Sequence, residues 1–232
     1  MAKKDRVEIR FQLDRLYQQY NIRKYVDPDP LLFLYDYPDA ADREIVGLIA
    51  ASLAYGRVEM IMKTVGRVLE KLKPTPLEYL DIHSRKEMAA DFSGFVYRFA
   101  RSDHLVHLLW EIKRILKRFG TLENCFCQGM EAAGATIEDG LIYFYQQMTA
   151  PEKTGHLMAD PQKSSACKRS HLFLRWMVRC DCVDPGGWNR ISPASLVVPL
   201  DTHMYRSGQL LGFTRRKSCD RRTALEITSG FK

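Results

Sequence analysis

Two polar groupings in the last third of the chain have residue types and spacing that could do chemistry on an anionic ligand. The first is Asp201-Thr202-His203, which follows Val198-Pro199-Leu200. A proline and an apolar run thus deliver an aspartate to the start of a short helix that closes at Gly212. There the free N–H groups and the positive end of the helix dipole stabilise a carboxylate, and an N-cap is its simplest role. The second grouping is residues 168–182. At roughly 100° per residue, Lys168, Leu172, Arg175 and Arg179 share one stripe, while Phe173, Trp176, Met177 and Cys180 fill another face. A narrow basic stripe on a helix that is otherwise apolar must face a cleft or meet acids. Asp181, Asp184 and Asp201 are the candidate partners.

Charge is unevenly placed along the 232 residues. Residues 1–159 hold 22 Lys+Arg against 22 Asp+Glu, whereas residues 160–232 hold 13 against 6. The whole excess of +7 therefore lies in the part that carries Lys168 and Asp201. Positive charge concentrated beside a candidate site suits a polyanion, although a solvated basic surface has the same composition. Arg215-Arg216-Lys217 and Arg221-Arg222 lie just beyond the Asp201 helix, where exposed arginines and helix starts make phosphate contacts. Between the groupings, Asp184-Pro185-Gly186-Gly187 is a tight turn that aims Trp188 at a fixed place. That indole either stacks on a base or plugs its loop onto the core.

Asp201-Thr202-His203 with Tyr205-Arg206 resembles the Asp-Thr-His-x-(Phe/Tyr)-Arg signature of the helix-hairpin-helix DNA glycosylase superfamily, which includes endonuclease III. Lys168 matches the lysine that opens the preceding helix in that superfamily, with Lys163 the alternative. The 33 residues from Lys168 to Asp201, and Ser164-Ser165-Ala166-Cys167 where a glycine hairpin is usual, resemble the archaeal 8-oxoguanine branch. The chain as a whole also resembles an uncharacterised bacterial protein family with Arg-Trp-Met-Val-Arg and Pro-Leu-Asp-Thr-His blocks.

The glycosylase resemblance implies DNA base-excision repair. Lys168 would attack the sugar and form a Schiff base, and Asp201 would stabilise the cationic sugar. The helix start would help the amine shed its proton. Arg57, in the turn where relatives fill the gap left by an extruded base, Arg169, Arg175, Trp188, His203 and Arg206 become nucleic-acid contacts, with Arg215, Arg216 and Lys217. A non-catalytic nucleic-acid binder of the same fold is the alternative.

The elements that must position these residues read as all-α. No stretch alternates at period two with turn signals. Residues 5–20 form a first helix, and Asp27-Pro28-Asp29-Pro30 breaks the chain. Residues 45–55 are apolar nearly all round and form a buried helix. A second helix covers residues 58–72. Thr75-Pro76-Leu77-Glu78 and Ser84-Arg85-Lys86-Glu87 are capping boxes. Ser102 and Thr136 open further helices. Pro151, Gly155 and Pro161 mark residues 150–166 as a loop and hinge. The expected architecture is a single two-lobed domain with a cleft, residues 40–150 forming one lobe and residues 1–39 with 160–232 a second, basic one.

No apolar run reaches the ~18 residues of a membrane span, and the start lacks the apolar core of a signal peptide. The expectation is a cytoplasmic monomer with DNA as partner and no membrane. Two Cys-x-Cys pairs, Cys125/Cys127 and Cys180/Cys182, do not have metal-ligand spacing. Buried free thiols, no metal and no cofactor are expected. The chain ends at Phe231-Lys232 in mid-pattern, as a truncated copy would.

Overall fold

The computed structural model describes residues 3–149 and 154–232, so Pro151 of the expected loop lies outside the described residues. Helix α1 (Lys3–Tyr20) leads through a 3-10 turn, Arg23–Tyr25, to a second one, Pro30–Asp36. Then follow α2 (Ala40–Leu53), α3 (Val58–Lys71), α4 (Pro76–Ile82) and α5 (Arg85–Asp91). A hairpin of β1 (Val96–Tyr97) and β2 (Ala100–Arg101) precedes α6 (Ser102–Phe119), α7 (Leu122–Glu131) and α8 (Ile137–Thr149). The last third holds α9 (Lys168–Val178), α10 (Thr202–Leu210) and α11 (Arg221–Phe231). The class is all-α apart from those two-residue strands. Among the described residues no helix is long and apolar enough to cross a membrane.

Local chemistry explains where the helices start. Asp39 accepts from Ala41 N at 2.8 Å, Thr75 from Glu78 N at 3.2 Å and Asp220 from Thr223 N at 3.0 Å. Ser84 and Glu87 complete a reciprocal capping box. Helix α7, which the sequence reading did not anticipate, starts at Thr121, whose hydroxyl accepts from Asn124 N. It packs against α8 at close range. A Cβ added at Gly129 would lie 2.3 Å from Tyr143 Cβ, and one at Gly140 would lie 2.5 Å from the Phe126 ring.

Helix α2 is the centre of the molecule, with every residue from Glu44 to Leu53 buried. The Pro30–Asp36 turn and α9 pack on it, and Gly47 allows the α9 side chains Met177 and Phe173 to approach. One large apolar core runs from Val26 to Ile191, and a small second one joins Leu200, Ala224 and Ile227. Helix α9 and the Pro30–Asp36 turn share the main core with α2, while Ala166 joins Val197, Val198, Met204, Tyr205 and Phe213 round the second core.

Helix α9 also ends sooner than its pattern suggests, at Val178 rather than 182. The chain turns back there. Gly186 N and Trp188 N donate to the carbonyls of Trp176 and Met177, while Asp181 Oδ1 accepts from Val183 N and Asp184 N. The Gly186 and Trp188 bonds satisfy helix-end carbonyls that another helical turn would otherwise have served, and the Asp181 bonds hold the turn.

Candidate active site

Lys168 and Asp201 meet. Lys168 Nζ lies 3.1 Å from Asp201 Oδ2, with the two side chains 41% and 35% exposed. The lysine is the first residue of α9. Cys167 before it turns the chain with φ 45°, a left-handed conformation that costs a non-glycine residue on the order of 1 kcal/mol. It buries its thiol and supplies no side-chain cap to α9.

Asp201 is fixed from the other side. Leu200 is buried against Ala224 and Ile227, Val198 N donates to Thr228 Oγ1, and Gly208 lets α10 lie directly on Ile227 of α11. The two carboxylate oxygens then have separate tasks. Oδ1 accepts from His203 N at 3.0 Å and Met204 N at 2.9 Å, leaving Oδ2 for the lysine. Burial by itself would raise the Asp201 carboxyl. The N–H bonds and the Lys168 ammonium outweigh burial and hold it below the ordinary aspartate range.

The other basic candidates divide into bound and free. Arg169 donates to the carbonyls of Ser52 and His156, and its guanidinium lies 4.8 Å over the Tyr55 ring. Arg175 Nε and Arg179 Nε both contact Asp184 Oδ2, at 3.0 and 3.1 Å, and that aspartate is fully buried. Arg179 also pairs with Asp181. The stripe on α9 is therefore a row of ion pairs, the acid-partner alternative left open above. Arg216 holds its own turn, with Nε on Thr223 Oγ1 and Nη2 on Asp220 Oδ2. His203 and Arg206 stand exposed on α10 just after Asp201, and Arg215 and Lys217 are exposed in the turn that follows. Arg57 is exposed at the start of α3, away from this group in sequence.

Trp188 takes the second of its two readings. It is 5% exposed, edge-on to Phe173 at 5.1 Å, and its indole N–H donates to Glu44 Oε2 at 2.8 Å. In this arrangement it plugs its loop and presents no face to a base. Its partner Glu44, which no sequence signal marked, also accepts from Leu122 N and Glu123 N. Burial nonetheless pushes its carboxyl up to about 7.

The cysteines correct a sequence expectation. Cys125, Cys127 and Cys167 are buried free thiols, but Cys180, Cys182 and Cys219, which lie on turns and belong to neither core, are exposed. Among the described residues no cluster of three or more His, Cys, Asp or Glu is placed to hold a metal ion.

Two features near Lys168 went unnoticed in the sequence. A cleft of about 430 Å³ opens between α9 and the α1 end of the chain, lined in part by Tyr17, Tyr20, Tyr25, Asp29, Leu172 and Arg175. On another side, the Tyr55 hydroxyl donates to the Tyr97 carbonyl, which ties the α2–α3 turn to the β-hairpin. The tip of that hairpin, Arg98-Phe99, is exposed, and Phe99 packs on His156.

A family model described as a protein of unknown function, DUF2400, matches residues 29–232. No curated protein and no solved structure matches the chain.

Proposed function

The chain belongs to the DUF2400 family, and we propose that it is a DNA glycosylase with an abasic-site lyase step, like the helix-hairpin-helix enzymes its sequence resembles. The observation that carries this reading is the 3.1 Å approach of Lys168 Nζ to Asp201 Oδ2, two groups 33 residues apart in sequence and both open to solvent. A pair with a purely structural role gains little from such exposure. A pair that must admit a sugar between or beside its members needs it.

The chemistry follows from the two groups. Lys168 Nζ, once it has shed its proton, forms a bond to the sugar C1′. The glycosidic bond breaks with its electron pair leaving on the base, which takes up a proton. The attached nitrogen then gives up one of its two protons, and the sugar ring opens with O4′ taking up a proton, which leaves the iminium with its one N–H. Asp201, kept ionised by its two N–H donors, stabilises the positive charge that develops on the sugar and returns protons to it. The base must leave the duplex stack to be reached. His203, Arg206, Arg215 and Lys217 are free to contact phosphates beside the pair. In this reading the protein acts on DNA as a cytoplasmic monomer.

Borohydride reduction in the presence of abasic-site duplex is the direct test. The expected result is a covalent adduct with the wild-type chain and none with Lys168→Ala. No adduct with either, or equal adducts, removes the lyase step.

The non-catalytic binder has one observation in its favour: the Lys168–Asp201 pair is also a satisfied ion pair. It predicts salt-sensitive DNA binding with no adduct at any pH.

A further inference from the structure

We infer that the cleft between the α1 end of the chain and α9 is the pocket that receives the extruded base, with Tyr20 and Tyr25 as its aromatic wall and Asp29 and Arg175 as the groups that read the polar edge. This inference rests on the glycosylase reading and adds the place and chemistry of base recognition to it.

The argument starts from Lys168. It shares a stripe on α9 with Leu172 and Arg175, and Arg175 lies seven residues on, about 10 Å along the axis at 1.5 Å per residue. A base whose C1′ sits at the lysine extends several ångströms, so one directed along this stripe would reach the level of Leu172 and Arg175. Both residues line the cleft. Asp29 lies within reach of both charges: burial raises its carboxyl, and the Leu31 N–H, Arg175 and Lys168 oppose that rise.

The lining fits a flat heteroaromatic ring. Tyr20 and Tyr25 are each 50% exposed, and their rings are 5.3 Å apart and tilted. They are not buried in the core, and both line the cleft, with the Lys24 ammonium 4.9 Å from the Tyr25 ring centre. Leu31, Trp176 and Leu172 add apolar lining. The two polar groups have complementary chemistry. Asp29 spends Oδ1 on Leu31 N at 2.8 Å and keeps Oδ2, while Arg175 spends Nε on Asp184 and keeps its terminal nitrogens. A carboxylate acceptor and a guanidinium donor together suit a ring that presents an N–H beside a carbonyl or ring nitrogen. At about 430 Å³ the cleft has room for one purine or pyrimidine. Tyr20 and Tyr25 precede residue 29, where the family match begins. The aromatic wall is thus built by a segment outside the matched region.

The test compares two reactions of the full-length chain that differ in whether a base is present. Borohydride trapping is measured on duplex carrying a pre-formed abasic site. Base release is measured on duplexes carrying uracil, hypoxanthine, 8-oxoguanine or 3-methyladenine. Tyr20→Ala, Tyr25→Ala and Asp29→Asn are compared with wild type, the asparagine keeping the acceptor for Leu31 N. The expected result is that each variant lowers the ratio of base release to trapping roughly tenfold or more, the order expected for loss of one stacking or edge contact. A ratio unchanged in all three overturns the pocket. A wild-type chain that traps abasic DNA but releases none of the four bases also overturns it, while leaving the lysine chemistry intact. A wild-type chain that does neither removes the glycosylase reading, and the pocket with it.

Discussion

Replacing Asp201 separates its two tasks, and the structure sets the size of each. Asparagine keeps Oδ1, so the bonds from His203 N and Met204 N survive and the helix cap remains. What is lost is charge. The pair with Lys168 is 41% and 35% exposed, so after solvent screening its contribution is at most about 1 kcal/mol. The charge on the α10 dipole adds roughly 0.3–1 kcal/mol. Asp201→Asn should therefore cost about 1 kcal/mol. Asp201→Ala also loses the cap, a further ~1 kcal/mol. Urea unfolding at pH 7, followed by circular dichroism, measures both.

The charge part has a defined pH window. The folded carboxyl is held below its usual value, so its stabilisation is complete above the unfolded value near 3.9 and is lost as pH falls through the lower folded value. The gap between wild type and Asp201→Asn should close in acid. Borohydride trapping at pH 7 should nevertheless fall at least a hundredfold in Asp201→Asn, about 2.7 kcal/mol of transition-state stabilisation or more. The reasoning is refuted if Asp201→Asn is as unstable as Asp201→Ala, which would mean the cap is not what the oxygens provide. It is equally refuted if Asp201→Asn stays folded and traps like wild type.

Other consequences are as direct. Trp188→Phe leaves Glu44 without its indole donor at a cost of about 1–3 kcal/mol. Because burial raises the Glu44 carboxyl to about 7, it favours the protonated form when folded, and its contribution falls as pH rises from the unfolded value through 7. The Trp188→Phe loss should be larger at pH 8 than at pH 6, as urea titrations at the two values would read. Combined removal of Arg206, Arg215 and Lys217 should flatten the dependence of log affinity for duplex on log salt by up to about three units if each meets a phosphate. Gly129→Ala should destabilise by several kcal/mol through overpacking of α7 on α8, since its Cβ would meet Tyr143 at 2.3 Å. A thermal melt within a degree of wild type would contradict that packing.

Sequence carried the helices whose caps are local. Asp39, Thr75, Ser84 and Asp201 each sit within a few residues of the N–H they accept, so their types alone mark the boundary. It also carried the buried α2, whose apolar run admits no exposed face. It did not carry α7, where Cys125, Phe126 and Cys127 break the period and two glycines let α8 approach. The end of α9 was equally hidden, because the bonds that stop it come from Gly186 and Trp188, which arrive only after the loop has folded back. The Lys168–Asp201 approach was expected through the resemblance, whereas the cleft was not. Tyr20 and Asp29 reach α9 across more than a hundred residues, and no periodicity records such a distance.

The charge excess in residues 160–232 takes on a different meaning once partners are assigned. Asp181 and Asp184 occupy Arg175 and Arg179, Asp220 occupies Arg216, and Glu138 pairs with Arg221. Arg169 is spent on carbonyls. The basic groups left facing solvent are concentrated on α10 and the turn after it, the elements that also carry Asp201. A polyanion attracted to the bulk excess would meet the α9 arginines in their acid pairs and these exposed groups free. Its closest approach is then set by a nine-residue helix standing on a three-residue core. Such a support opens at low cost. Substitution of Leu200 or Ile227 by alanine should therefore loosen α10 and weaken DNA binding before it lowers the melting temperature of the main core. Faster amide exchange confined to residues 197–231 would be the sign. Uniform exchange across α2 and α9 would mean that the two cores unfold as one.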